Sequence, residues 1–265
     1  IMAFGSNGYI FELVENWGDP PADWHWAVVP CVATDSRDRV YVFTRTDNPL
    51  AVFEPDGTFV EARGAGVIHQ PHGVWIDKDD NLYSIEAGNH CVHKFDREGH
   101  LLMTLGTPGR PGPEGKPFNK PTDLAVGPDG DLFISDGYGN ARIHRFSANG
   151  KLLDSWGEHG SGRGQFNTVH CVRMDSRGRL WVCDRENSRI QLFDVEGAFI
   201  EERTDVARPD GLFIDNEAEV AYVAEYCFRV SIRTFDNKIL SSWGGGTASD
   251  QPGEFQGKPH GIWVD

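Results

Sequence analysis

Three histidines hold the same position in three similar stretches of this chain, five residues before an aspartate in each case. The stretches are residues 71–77 (PHGVWID), 169–175 (VHCVRMD) and 259–265 (PHGIWVD). Imidazole is a common ligand of zinc and similar divalent metals, and three protein ligands with an open fourth position are typical of a catalytic site. His72, His170 and His260 are therefore candidates to bind one zinc ion or another divalent transition metal.

The histidines belong to a column of equivalent positions in repeats of about 45 residues. From the N-terminus the column holds Pro30, His72, Thr122, His170, Asp210 and His260. If six repeats form a ring, alternate positions are about 120° apart, so the three imidazoles converge. The alternative is a set of polar residues filling a wet channel. Asp210 is either a further acid–base or supporting group, or a structural carboxylate.

A second column lies just past the second strand of each repeat. It contains Arg45 and Arg185, and Tyr138 stands one place further along its own repeat. Two arginines on one rim of a channel can bind a carboxylate in bidentate fashion. A tyrosine beside a metal can act as a general base once its pKa is lowered. The alternative is that these are ordinary charged loop residues.

Short strands must position both columns. Each repeat contains four alternating segments separated by DG, EG, NG or RG turns, which is the pattern of a propeller blade. The full repeats are 24–64, 68–106, 118–157, 166–204 and 206–244. Residues 255–265 begin a sixth repeat, and residues 5–18 resemble the last strand of the others. The sequence predicts an all-β, six-bladed β-propeller, a single domain over residues 1–265. We expect residues 8–17 to close the incomplete sixth blade, and the natural chain to continue past Asp265.

Composition argues against several classes of partner. A net charge of −15 disfavours nucleic acid and anionic membranes, and no stretch is long and apolar enough to cross a bilayer. Five cysteines without a CxxC motif favour a reducing, cytoplasmic compartment, while the unnatural start at Ile1 leaves secretion open. Cys31 and Cys171 follow the histidine column, so strand alternation predicts that they pack away from the channel. The remaining histidines are expected at the surface or in turns: His25, His69, His90, His93, His100, His144 and His159.

Several local motifs together resemble a known family. They are residues 70–73 (QPHG), 135–138 (SDGY), 184–191 (DRENSRIQ), 259–260 (PH) and Arg45 after a strand end. The blades are similar to NHL repeats, and the combination resembles the catalytic core of peptidyl-α-hydroxyglycine α-amidating lyase. The resemblance covers most of the chain.

The resemblance implies a six-bladed propeller with zinc on His72, His170 and His260, and with Arg45 and Tyr138 essential for activity. It also implies a structural calcium in the channel. Gly261 stands where the family has a calcium-binding aspartate, which leaves a main-chain carbonyl such as that of Val74 as the calcium ligand.

The family cleaves the N–C bond of a hydroxyglycine-extended peptide, giving a peptide amide and glyoxylate. Gly139, Trp181 and Leu192 replace family cysteines, which fits an intracellular, bacterial relative. The sequence therefore predicts a metal-dependent lyase for a small α-hydroxylated amide or related carbinol with a carboxylate, bound by Arg45 and Arg185. Two alternatives are hydrolysis of an ester or lactone by metal-bound hydroxide, and a non-catalytic interaction scaffold built from NHL repeats.

Overall fold

Antiparallel strands in groups of four make up most of the chain. The computed structural model describes residues 3–113, 116–251 and 254–265. A hairpin of β1 (Ala3–Ser6) and β2 (Tyr9–Glu12) precedes the first blade. Blades one and two contain β3 (Val32–Thr34), β4 (Val40–Phe43), β5 (Leu50–Phe53) and β6 (Phe59–Arg63), and then β7 (Pro71–Ile76), β8 (Leu82–Glu86), β9 (Cys91–Phe95) and β10 (Leu101–Gly106). Blade three contains β11 (Asp123–Val126), β12 (Leu132–Asp136), β13 (Arg142–Phe146) and β14 (Leu152–Trp156), and a short parallel pair follows it, β15 (Glu158–His159) and β16 (Gln165–Phe166). Blades four and five contain β17 (Val169–Met174), β18 (Leu180–Asp184), β19 (Arg189–Phe193) and β20 (Phe199–Arg203), and then β21 (Pro209–Asp215), β22 (Val220–Glu225), β23 (Arg229–Thr234) and β24 (Ile239–Trp243). The prediction of an all-β propeller is confirmed.

The turns between strands follow the predicted chemistry. Gly57 and Gly130 adopt φ angles of 90° and 83° in hairpin turns, a conformation that side chains disfavour. The aspartate that follows β17, Asp175, accepts hydrogen bonds from the main-chain N–H groups of Arg177 and Arg179 through its Oδ1 atom. Its Oδ2 atom accepts the indole N–H of the buried Trp181 at 2.8 Å. Each turn thus closes a pair of strands and helps to satisfy polar groups beside the core.

The innermost strands of successive blades lie side by side around an axis: β3 beside β7, β7 beside β11, β11 beside β17 and β17 beside β21. Apolar clusters fill the space between neighbouring blades, for example Trp181 of blade four with Phe235 of blade five. Burying such a side chain contributes roughly 1.5–3 kcal/mol. This packing fixes the innermost strands, and so the positions of their axial side chains.

The closing segment lies between blade five and blade one. The indole N–H of Trp263 donates to Thr34 Oγ1 at 2.8 Å. On the other side, a Cβ atom on Gly211 would meet the carbonyl oxygen of His260 at 2.5 Å, so only glycine fits there. Residues 254–265 form no regular strand, yet they run where an innermost strand is expected. This placement carries His260 to the axis.

The predicted closure by the N-terminal strand is wrong in its pairing. Residues 9–12 pair with residues 3–6, and the hairpin lies against the outer edge of blade five, where the Ser6 N–H donates to Ser241 Oγ at 2.8 Å. The reason is local: Asn7 and Gly8 adopt φ angles of 53° and 87°, the turn that Asn-Gly favours. Residues 254–265 also provide no ladder for a closing strand to join.

None of the helical residues in the described ranges forms a segment of the length and apolarity needed to span a bilayer.

Candidate metal centre

The three column histidines meet at the axis. His72 lies on β7, His170 on β17 and His260 in the closing segment. Their ring centroids are 4.7 Å apart for His72 and His170, and 4.8 Å apart for each of the other two pairs. One ligand atom from each ring lies within 4.8 Å of those of the other two. Three imidazoles this close can share one metal ion.

Each histidine is held by the next member of its own column. The carbonyl oxygens that accept the Nδ1–H groups belong to Thr122 for His72 (2.8 Å), Asp210 for His170 (2.7 Å) and Pro30 for His260 (2.8 Å). A carbonyl can only accept a hydrogen bond, so Nδ1 carries the hydrogen in all three rings. In the neutral ring Nε2 then keeps its lone pair, which is the tautomer that binds a metal.

Burial favours the neutral form of His72 and His170. The exposed fractions of His72 and His170 are 3% and 2%. Desolvation lowers the pKa of both rings well below the usual value, and the neighbouring imidazoles lower it further. Neutral nitrogen lone pairs directed at one point in a buried site are the donor set that a divalent transition metal requires.

Tyr138 lies across two of these nitrogens. Its Oη atom is 3.0 Å from Nε2 of His72 and 2.9 Å from Nε2 of His170. One phenol hydrogen cannot satisfy two lone pairs, so the donor set is incomplete without a further electrophile. A metal ion fits this arrangement.

The SDGY loop depends on the glycine that precedes the tyrosine. A Cβ atom on Gly137 would lie 1.6 Å from the carbonyl oxygen of Val169, the residue before His170. Glycine therefore lets the loop pass close to β17 and place the Tyr138 hydroxyl over the histidines. The Tyr138 ring is 39% exposed, but its hydroxyl end is covered. Burial raises the pKa of this phenol, while the positive charges of Arg185 and Arg45 act to lower it.

Arg185 and Asp210 form a pair beside the tyrosine. Arg185 starts a 3₁₀ turn directly after β18, and its Nη1 atom donates to Asp210 Oδ1 at 3.1 Å and to Tyr138 Oη at 3.5 Å. Its guanidinium also lies 5.6 Å from the centroid of the Tyr138 ring, and Tyr226, on the same rim, is 5.4 Å away. Burial raises the pKa of Asp210, against the opposing effect of His260 and Arg185.

Arg45 occupies the opposite side of this rim, in the loop after β4. It is exposed, and its Nε atom donates to the carbonyl oxygen of Pro71, the residue before His72, at 3.3 Å. Its charge acts on both His72 and Tyr138. The structure therefore brings Arg45, Tyr138 and Arg185 to one end of the channel around the histidines.

The axial cavity also contains a buried cation that the sequence reasoning missed. Arg173 lines it together with Val74, and its Nη1 atom donates to the Asp123 carboxylate and to the carbonyl oxygens of Leu124 (3.3 Å) and Val172 (2.7 Å). A guanidinium already neutralises the carboxylate that would serve a metal here. The residues present do not fit a calcium ion, so the expectation for the Val74 carbonyl finds no support. The sequence did not indicate a role for Arg173, because the residues around it show only the alternating pattern of an ordinary strand.

Two cysteines pack in apolar clusters, as predicted: Cys31 in that between blades one and two and Cys171 in that between blades four and five. Both also border the axial cavity, and the Cys171 thiol donates to Asp123 Oδ2 at 2.8 Å. The register of β17 shifts between Val169 and Val172. Such a bulge interrupts the strict alternation of side chains along the strand. The same irregularity follows Pro71 in β7 and Pro209 in β21.

Two further histidines are buried rather than exposed. His93 is 4% exposed and His144 is fully buried. Both lie on third strands, where they face the acidic residue at the end of the second strand, Glu86 and Asp136 respectively. The prediction that both histidines lie outside the axial column is correct. The repeat, however, also has a buried polar position on its third strand, which these two histidines occupy.

Comparison with known proteins supports the repeat assignment. The model of the NHL repeat matches residues 118–146 and 166–193. NHL repeat-containing protein 3 of Homo sapiens is 34% identical over 230 residues, which cover 77% of this chain and 66% of that protein. The peptidylglycine alpha-amidating monooxygenase of Rattus norvegicus is 35% identical over 199 residues, 62% of this chain and 20% of that protein. The chain thus spans less than two thirds of the length of these relatives.

Two further similarities concern lyases. Peptidyl-alpha-hydroxyglycine alpha-amidating lyase 1 of Drosophila melanogaster is 36% identical over 142 residues, covering 49% of this chain and 26% of that protein. A solved structure described as streptogramin B lyase superposes with a TM-score of 0.65 at 15% identity, over 88% of this chain and 72% of that one. At that level of identity the superposition supports the propeller fold alone.

Proposed function

The chain belongs to the NHL-repeat β-propeller family related to the amidating-lyase domains and to NHL repeat-containing protein 3, and from this premise we propose that it is a metal-dependent carbon–nitrogen lyase. The substrate class is a small α-hydroxylated amide, or related carbinol, that bears a carboxylate. The observation that carries the proposal is the Tyr138 hydroxyl placed against Nε2 of both His72 and His170. It puts a proton-transfer group directly beside three converging metal ligands.

His72, His170 and His260 would hold the metal, with zinc as our assignment, and their Nδ1–H bonds to carbonyls keep the rings in the binding tautomer. A metal ion bound there supplies a Lewis acid for the substrate hydroxyl. Asp210 supports His170, because its Oδ1 atom lies 3.1 Å from Nδ1 of that ring. These contacts orient the ligands before substrate arrives.

Tyr138 accepts the proton of the substrate hydroxyl. The oxygen lone pair left behind forms the carbonyl, the C–N bond breaks, and the nitrogen receives the same proton from Tyr138 to leave as the amide. Arg185 donates to the Tyr138 oxygen at 3.5 Å and carries a positive charge beside it. That charge offsets part of the effect of burial, which raises the pKa of Tyr138, and a metal ion held by the histidines would add further positive charge beside the phenol.

Arg45 binds the substrate carboxylate. The charge of Arg185 is matched by Asp210 at 3.1 Å, whereas the guanidinium of Arg45 is exposed and bonds to a carbonyl oxygen. The positive charge of Arg45 is therefore less neutralised than that of Arg185 and is available to the substrate carboxylate. Arg185 assists this binding from the edge of the site. Holding the carboxylate fixes the hydroxyl over the tyrosine.

We also propose that residues 255–265 belong to a sixth blade. Their fit between β21 and β3 supports this, because it places His260 in the same axial ring as His72 and His170. A six-fold ring explains why every second column position is a histidine.

The test is incubation of the zinc-loaded protein with a short peptide that ends in α-hydroxyglycine. The proposal predicts peptide amide and glyoxylate in equal amounts. Ester and lactone substrates in ¹⁸O-labelled water form the second arm, since hydrolysis would place the label in a carboxylate product. Label incorporation without amide release would favour a hydrolase. Absence of both reactions from the metal-loaded protein would favour an interaction scaffold.

A further inference from the structure

A buried acidic residue stands at the end of the second strand in four blades. These residues are Glu86, Asp136, Asp184 and Glu225, each fully buried. In blades four and five the first residue of the third strand is an arginine that neutralises the acid: Arg189 donates to Asp184 at 2.7 Å, and Arg229 to Glu225 at 3.0 Å. In these two blades the third strand thus provides a cation for the buried carboxylate.

Blade two replaces the arginine by a cysteine. Cys91 begins β9, at the position that Arg189 holds in β19, and it is fully buried. Its Sγ atom lies 3.4 Å from His93 Nε2, and the same nitrogen lies 3.4 Å from Glu86 Oε1. Glu86 Oε1 has no hydrogen-bond partner among the described residues. A thiol, an imidazole and an unpartnered carboxylate oxygen therefore face one another in the interior.

The other atoms of this cluster are already engaged and fix its geometry. Glu86 Oε2 accepts the main-chain N–H of His69 at 3.0 Å and the Asn89 side chain at 3.3 Å. His93 Nδ1 lies 2.9 Å from Thr104 Oγ1, which leaves Nε2 directed at the cysteine and the glutamate. Three different donor atoms remain, all within 4.8 Å of one another.

We propose that Glu86, Cys91 and His93 form a second metal site, separate from the axial histidines, for a thiophilic divalent ion of the zinc class. Zinc binds sulfur at about 2.3 Å and nitrogen or oxygen at about 2.0–2.2 Å, so neighbouring ligands of a tetrahedral ion lie roughly 3.3–3.6 Å apart. The two measured separations of 3.4 Å match this spacing.

Charge balance supports the same assignment. A thiolate and a carboxylate together match the two positive charges of the ion, so the loaded site is neutral in its buried setting. The ion then neutralises the buried carboxylate as Arg189 and Arg229 do in the later blades.

Cobalt spectroscopy separates this site from the axial one. Protein produced with Co²⁺ in the growth medium receives the ion during folding, before the cluster is buried. A thiolate ligand gives an intense near-ultraviolet charge-transfer band, whereas three imidazoles cannot. We expect the band in the wild type and in the double variant His72→Ala/His170→Ala. It should disappear in Cys91→Ser and remain in the matched control Cys227→Ser, where the cysteine is only partly buried.

Zinc content provides a second measurement. Glu86→Gln keeps the size and the main-chain hydrogen bonds of the glutamate but removes the ligand charge, so it should lose one equivalent of zinc and should unfold at lower temperature. A wild type without the cobalt band, or a band that persists in Cys91→Ser, would overturn the proposal. Unchanged zinc in folded Glu86→Gln would overturn it independently.

Discussion

Asp210 contacts His170 through both its main chain and its side chain. Its carbonyl oxygen accepts the Nδ1–H at 2.7 Å, and its Oδ1 atom lies 3.1 Å from the same nitrogen. The carboxylate also accepts a hydrogen bond from Arg185. One residue of the histidine column therefore orients an axial histidine and anchors the arginine beside Tyr138, so the histidine column and the rim column of the sequence are joined at this point.

Asp210→Asn tests this link. The substitution keeps the carbonyl that orients His170 but removes the negative charge from His170 and Arg185. Loss of a partner that supports a metal ligand typically costs about 10–100-fold in metal affinity or activity. We expect a decrease of that size in lyase turnover, measured as glyoxylate release. Asp215→Asn makes the same change in an outer turn of the same blade and should leave turnover unchanged; equal losses in both variants would contradict the link.

Tyr138→Phe tests the proton acceptor. The ring and its contact with Arg185 remain, while the hydroxyl beside His72 and His170 is lost. Turnover should fall by roughly 10²–10⁴-fold. Metal content should stay the same, because the ligands are untouched. Turnover within a few-fold of the wild type would rule out a base role for Tyr138.

Arg45→Lys tests carboxylate binding. Lysine keeps the charge but loses the planar fork of the guanidinium, so it should not restore bidentate binding. We expect KM to rise by about tenfold or more, equivalent to about 1.4 kcal/mol of binding free energy. Arg97→Lys, at an exposed turn, is the control. With a substrate analogue that lacks the carboxylate, wild type and Arg45→Lys should have the same KM. A difference in KM that persists with this analogue would show that Arg45 does not act on the carboxylate.

The stability of the metal-free protein should depend on pH through the buried imidazoles. Burial lowers the folded-state pKa of His72 and His170, whereas unfolded histidine titrates near 6.5. The unfolded state therefore binds more protons below about pH 6.5, and stability falls as pH decreases toward the lowered pKa values.

The loss is at most about 1.4 kcal/mol per pH unit for each imidazole. Urea unfolding of the protein, freed of metal by a chelator, measures this loss of stability at a series of pH values. The variant His72→Gln/His170→Gln should show a flatter profile between pH 6.5 and 5. An identical profile in the variant would contradict the assigned cause.

Much of this arrangement could be predicted from the sequence because it depends on repetition. The histidine column and the rim positions of Arg45, Tyr138 and Arg185 repeat with the blades, so equivalent positions had to share one end of the channel. The fold followed from the same alternation of short strands and turns.

Features that break the repeat could not be predicted in this way. The bulge in β17 shifts the register of the strand between Val169 and Val172, and the alternation of residues in the sequence gives no sign of it. The pairing of β1 with β2 depends on the Asn7-Gly8 turn. Residues 5–18 resemble the last strand of the other repeats, and this similarity obscured the turn. Arg173 and the Glu86–Cys91–His93 cluster arise from single replacements within the pattern, and only their three-dimensional contacts reveal them.

Metal analysis of His260→Ala tests whether His72, His170 and His260 bind one metal ion together. This histidine belongs to the closing segment and is only partly buried, so its loss removes one ligand with little effect on the five blades. His159→Ala, at an exposed position, is the matched control. We expect His260→Ala to contain one equivalent of zinc less than wild type and His159→Ala, and to lose turnover. Equal zinc content in all three proteins would contradict it.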